Sequence, residues 1–124
     1  MSSVLLFVLV TLGWFLIEAI IGVFLGLKKP YNVVLLVIHS VLTIFVIAGV
    51  ISSILGLLAV DFGKVGSTIS LYVASVAVLM LIVDGIRLAT LKTEVPAVVL
   101  AHKISAFLLA ISLIASIVFI IAKI

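Results

Sequence analysis

The sequence predicts an all-α integral membrane protein: an antiparallel bundle of four transmembrane helices, arranged as two repeated helical hairpins. Three observations predict it. Of 124 residues, 68% are hydrophobic and 9% charged, whereas a soluble domain carries about a quarter charged residues. The apolar residues fall into four stretches, each long enough to cross a hydrocarbon layer that takes about 20 helical residues to span. The interruptions between them hold both prolines and most of the charge.

The first stretch covers residues 4–27. Its position resembles that of a signal peptide, but it lacks a basic start, exceeds the length of a signal core and carries Glu18 near its middle. Lys28, Lys29 and Pro30 then make a basic, proline-broken turn. The second helix is expected over 31–60, followed by a glycine-containing loop from Asp61 to Gly66. The third is expected over 67–91. Lys92, Thr93, Glu94 and Val95 form the next turn, and Pro96 opens the fourth helix, over 96–122. Proline is tolerated in a first turn because the N–H it lacks has no helical partner there. Valine and isoleucine are abundant, yet strands are not expected, because lipid offers the backbone no hydrogen-bond partners and an uninterrupted span must satisfy itself. The whole is read as a single domain, 1–124.

Short turns make sequence neighbours antiparallel and adjacent. Helices two and four then run parallel to each other. Lys28, Lys29, Arg87, Lys92 and Lys103 cluster at turns one and three, against Lys64 and Lys123 at the other end. The positive-inside rule therefore places loops 28–30 and 92–96 in the cytoplasm and both termini outside a cell membrane.

The absence of cysteine excludes disulfides, iron–sulfur clusters, c-type haem attachment and thiolate metal sites. No P-loop, glycine-rich nucleotide motif or Ser-His-Asp set can be assembled, so a hydrolytic or transferase enzyme is not expected. An electron carrier or complex subunit fits better than a stand-alone enzyme. Nothing points to nucleic acid.

The two halves share an order of features. Glu18, Lys28-Lys29, Pro30 and His39 in the first half answer to Asp84, Lys92, Pro96 and His102 in the second. At 1.5 Å per residue, all four acid and histidine side chains fall about 9–15 Å from the cytoplasmic turns. The hairpins read as parallel repeats about an axis along the membrane normal.

His39 and His102 are the only histidines. An ionisable side chain inside a membrane is costly and marks a candidate site. Two at one depth, on parallel helices, suit a shared ligand. A haem needs axial ligands on opposite faces and an apolar slot between helices. Ser40, Thr43, Gly49 and Ser53 on helix two, and Ser105, Ala106, Ser112 and Ser116 on helix four, are expected toward such a slot. Thr43, Val46, Val50 and Ser53 share the His39 face; Ala106, Leu109, Leu113 and Ser116 share that of His102. Small residues also serve plain helix packing. Lys28, Tyr31, Arg87 and Lys103 are candidate partners for haem propionates, although cations at this end also serve to fix orientation, and Arg87 is placed to pair with Asp84 one turn away. Glu18 and Asp84 are candidates to accept the Nδ1–H of a metal-bound imidazole, to exchange protons, to ligate a metal directly, or only to bond between helices.

The stretches Leu36-Val37-Ile38-His39-Ser40-Val41-Leu42 and Leu100-Ala101-His102-Lys103-Ile104-Ser105 resemble the haem helices of membrane b-type cytochromes, in which a histidine near a helix start precedes aliphatic and small residues. The resemblance covers helices two and four. It implies one haem b per chain in a four-helix bundle, with His39 and His102 as axial ligands of the haem iron. A quinone or a redox subunit is the partner class for such a carrier, although the chain carries no quinone-site signature. Larger di-haem relatives carry two histidine pairs; this chain has one.

Two other readings compete. Glu18, His39, Asp84 and His102 together make a two-histidine, two-carboxylate set suited to an iron, zinc or manganese ion in a metal-binding or transport bundle. The same four also suit a structural or proton-conducting subunit. Gly22 and Gly26 form a G-x-x-x-G, expected to pack within the bundle or to support an oligomer. Trp14, one turn from Glu18, is expected to cover the polar layer.

Overall fold

The computed structural model describes residues 3–27, 31–60, 65–91 and 93–123. Among them are four helices, α1 (Ser3–Leu25), α2 (Val33–Val60), α3 (Val65–Thr90) and α4 (Pro96–Ala122), and no strand. All four are long and apolar enough to cross a membrane. The chain is a multi-pass, all-α membrane bundle.

The ends differ slightly from those expected, for local reasons. The second helix starts at Val33 because Asn32 caps it: the Asn32 side-chain oxygen accepts from the Leu35 N–H at 3.1 Å. Val65 and Gly66 are already helical rather than part of a loop. Pro96 opens α4 behind an extended Val95, as expected. Lys28, Lys29, Pro30, Asp61, Lys64 and Lys92 lie outside the described residues.

α1 packs along α2, and α3 along α4. The two hairpins then meet through α1 against α4 and α2 against α3, with α1 opposite α3 and α2 opposite α4 across diagonals. Exchanging the hairpins leaves this pattern of neighbours unchanged. Packing within each hairpin is much closer than packing between them.

The interior is partly polar and the exterior apolar. Leu71, Leu109, Leu113, Val8 and Val46 fill the core, together with buried Thr11, Ser53, Ser67, Ser105 and Ser116. Ile20, Phe24, Ile69, Leu79, Phe107 and Ile121 point outward. In lipid this costs nothing, because hydrocarbon tails are as apolar as the side chains, so helices join through small residues and hydrogen bonds instead. Gly49 shows the closeness: a Cβ there would coincide with the Thr11 side chain of α1.

Candidate functional site

His39 follows the start of α2 by the same number of residues as His102 follows the start of α4. Both imidazoles lie about 9 Å inside their helix starts. They come from the diagonal pair of helices, and the two rings are within electrostatic range of each other. Neither ring is exposed. The structure thus sets each predicted histidine against the first helix of its own hairpin, at matched places and close enough for the charge of one to be felt at the other.

Each histidine rests on a glycine of the preceding helix. A Cβ on Gly22 would lie 2.9 Å from His39 Cε1, too close for any real side chain. A Cβ on Gly85 would lie 3.5 Å from His102 Cε1. Gly22 also uncovers a backbone acceptor. In a helix the Cβ of residue i+4 leans toward the carbonyl of residue i, so glycine at 22 leaves the Glu18 carbonyl open. His39 Nδ1 donates to that oxygen at 3.0 Å. This fixes the neutral ring with its proton on Nδ1 and leaves Nε2 with the lone pair.

Of the roles open to the acids, the structure has the bond between helices. Neither carboxyl accepts an imidazole Nδ1–H: the backbone of Glu18 does so for His39, and His102 Nδ1 is buried with no partner. The carboxyls instead meet hydroxyls across each hairpin. Thr43 Oγ1 bonds Glu18 Oε1 and also the His39 carbonyl at 2.9 Å. Ser105 Oγ bonds Asp84 Oδ2 at 3.1 Å and the Ala101 carbonyl at 2.8 Å. A hydroxyl has one proton for these two acceptors, so each hydroxyl is shared between its own helix and the carboxyl of the facing one.

Among the described residues, no three His, Asp or Glu side chains converge as a metal site would require. Glu18, His39, Asp84 and His102 share a layer but split by hairpin, each hairpin holding one acid–hydroxyl pair and one histidine set on a glycine.

The other candidates fall at the edge. Lys28 lies outside the described residues. Tyr31 is half-buried beneath the ends of the helices, and its phenol is held above its ordinary pKa, chiefly by burial and further by the Glu94 carboxylate. That pairing brings turns one and three to one end. Arg87 and Lys103 are exposed, and among the described residues no ion pair joins Arg87 to Asp84, which bonds Ser105 instead. Ser40 faces outward, its hydroxyl turned back to the Leu36 carbonyl at 2.8 Å, so it does not line the seam. Trp14 also faces outward and stacks on Phe45, 5.1 Å between centroids; Phe15, beside it, takes the buried position.

Gly22 and Gly85 escaped the sequence reading as partners of the histidines. A signal was present: Gly22 and Gly85 are separated by the interval that separates His39 from His102, and Ser53 from Ser116. At that interval Leu42 answers to Ser105, Val46 to Leu109 and Val50 to Leu113, all buried. The acids break the register, since Glu18 answers to Leu81.

No family model, no curated protein and no solved structure matches this chain.

Proposed function

We propose that the chain is a small membrane cytochrome b that carries electrons within the bilayer, with one haem between α2 and α4. The observation that carries this reading is the matched imidazoles: two histidines at one depth, on diagonal helices that do not touch, each set on a glycine and close enough to feel the other's charge. The donor set suits the group. His39 has its Nδ1 engaged and its Nε2 lone pair free, the arrangement of a histidine ligand with an outer partner. A bound haem would supply one-electron redox chemistry. The chain's own part is to hold the two imidazoles, exclude water with Val46, Val50, Leu109 and Leu113, and keep Glu18 and Asp84 satisfied by Thr43 and Ser105 in that layer. Tyr31, Arg87 and Lys103 sit at the end where propionates would emerge, and Lys28 is a further candidate by sequence; long cationic side chains reach the interface from a lipid-facing helix. The excess of lysine and arginine at that end supports a cytoplasmic position for turns one and three and an outside position for both termini of a cell-membrane protein. A quinone or a redox subunit is the partner class this chemistry calls for.

Visible spectra of the purified protein, oxidised and dithionite-reduced, test the reading. A sharp low-spin b-type α-band is expected on reduction, lost in His39→Ala and altered in His102→Ala. A folded protein that is colourless and takes up no added haem overturns it. Elemental analysis then separates a bundle holding iron, zinc or manganese from a ligand-free structural or proton-conducting one.

A further inference from the structure

The two histidines occupy corresponding places in the repeat, but their surroundings differ. His39 is fixed twice. Its Nδ1 donates to the Glu18 carbonyl at 3.0 Å, and its ring fills the place where a Gly22 Cβ would come within 2.9 Å. His102 is fixed by neither device. Its clearance over Gly85 is the wider 3.5 Å, and its Nδ1 is buried without a partner. The corresponding backbone acceptor, the carbonyl of Leu81 one turn before Gly85, receives no bond from it. An imidazole whose outer nitrogen donates to a carbonyl is oriented and made more basic; without that bond it is a weaker ligand and turns more freely.

We infer that the two histidines are unequal ligands: His39 is the fixed one and His102 the exchangeable one, so that the site opens on its α4 side to a small neutral diatomic ligand. This rests on the haem reading above. With haem held there, His102 Nε2 would yield its place to the incoming ligand, one bond replacing another with nothing oxidised or reduced.

Carbon monoxide is the probe, added to the dithionite-reduced, haem-loaded full chain and to its His39→Ala and His102→Ala variants. The unmodified chain is expected to form a carbon monoxide adduct. His102→Ala is expected to keep its haem and to give the same adduct at a carbon monoxide concentration at least ~10-fold lower, because no imidazole competes; a tenfold shift corresponds to about 1.4 kcal/mol. His39→Ala is expected to lose most of its haem. A low-spin reduced spectrum that carbon monoxide leaves unchanged overturns the inference while the haem reading stands. An adduct matched by His39→Ala rather than His102→Ala also overturns it. Absence of any haem spectrum in the unmodified chain overturns the haem reading, and this inference with it. Nitrogen-15 spectra of the haem-free protein give an independent readout: His39 is expected as a single Nδ1–H tautomer and His102 as an average of two. Two identically fixed rings overturn the inequality.

Discussion

Gly22 decides where His39 sits. It provides the space for the ring and exposes the Glu18 carbonyl that orients it. Overpacking a close contact costs about 1–3 kcal/mol, and Gly22→Ala must displace either the imidazole or the helix. Gly85→Ala meets only ordinary van der Waals contact, and alanine is the better helix former by up to about 1 kcal/mol. Gly22→Ala is therefore expected to lower resistance to denaturation in detergent and, on the haem proposal, to shift the spectrum of the loaded chain. Gly85→Ala is expected to leave stability equal or raised. Equal effects of the two would contradict the clearance argument. The histidines and acids were legible in the sequence because an ionisable residue stands out in an apolar helix. Their glycine partners were not, because a glycine in a membrane helix has many uses, and only the fold tells which side chain comes to rest on it.

The helices carry their polar residues inward. Ser116 Oγ on α4 bonds Ser70 Oγ on α3 at 2.8 Å and the Ser112 carbonyl at 2.7 Å, in a buried layer away from the histidines. Because each serine has a backbone acceptor on its own helix as well, the bond between helices adds little. Intramembrane hydrogen bonds average about 0.6 kcal/mol by double-mutant cycle, and a Ser70→Ala/Ser116→Ala cycle is expected to give a coupling of about that size. A coupling above about 2 kcal/mol would mean that this pair, rather than close backbone packing, holds α3 to α4. The existence and order of all four helices followed from apolar length. Their inward faces did not follow so directly, because a helix that is apolar all round shows almost no contrast between its sides. Ser40 and Trp14 were placed inward on sequence grounds and point to lipid; Thr43, Val46, Val50 and Ser53 were placed on one face, which the structure confirms.

At the scale of the molecule, the hairpins form a pseudo-twofold pair. Val8 answers to Leu71, Phe15 to Val78 and Gly22 to Gly85 at the same interval as the histidines, and each of these packs at its own hairpin seam or core. Tyr31 beside Glu94 shows that turns one and three share an end. The chain has no cysteine, so single cysteines report sidedness without background. Thr93→Cys is expected to react with an impermeant thiol reagent only from the cytoplasmic side, and Ser3→Cys only from the opposite side. Labelling of both from one side would contradict the three crossings, α1 to α3, that separate Ser3 from Thr93; labelling of each from the reversed side would invert the orientation and leave the bundle intact.

The sequence by itself determined the membrane class, the four spans, their antiparallel order and the common depth of Glu18, His39, Asp84 and His102. These depend on length, hydropathy and a fixed rise per residue, all local properties. Only the tertiary structure decided that each imidazole comes to rest on a glycine of its own hairpin, that the acids turn to Thr43 and Ser105 rather than to the imidazoles, and that His39 is anchored while His102 is not. Those outcomes depend on how far one helix is rotated against another, and in a bilayer small residues and single hydrogen bonds set that rotation where apolar patterning cannot.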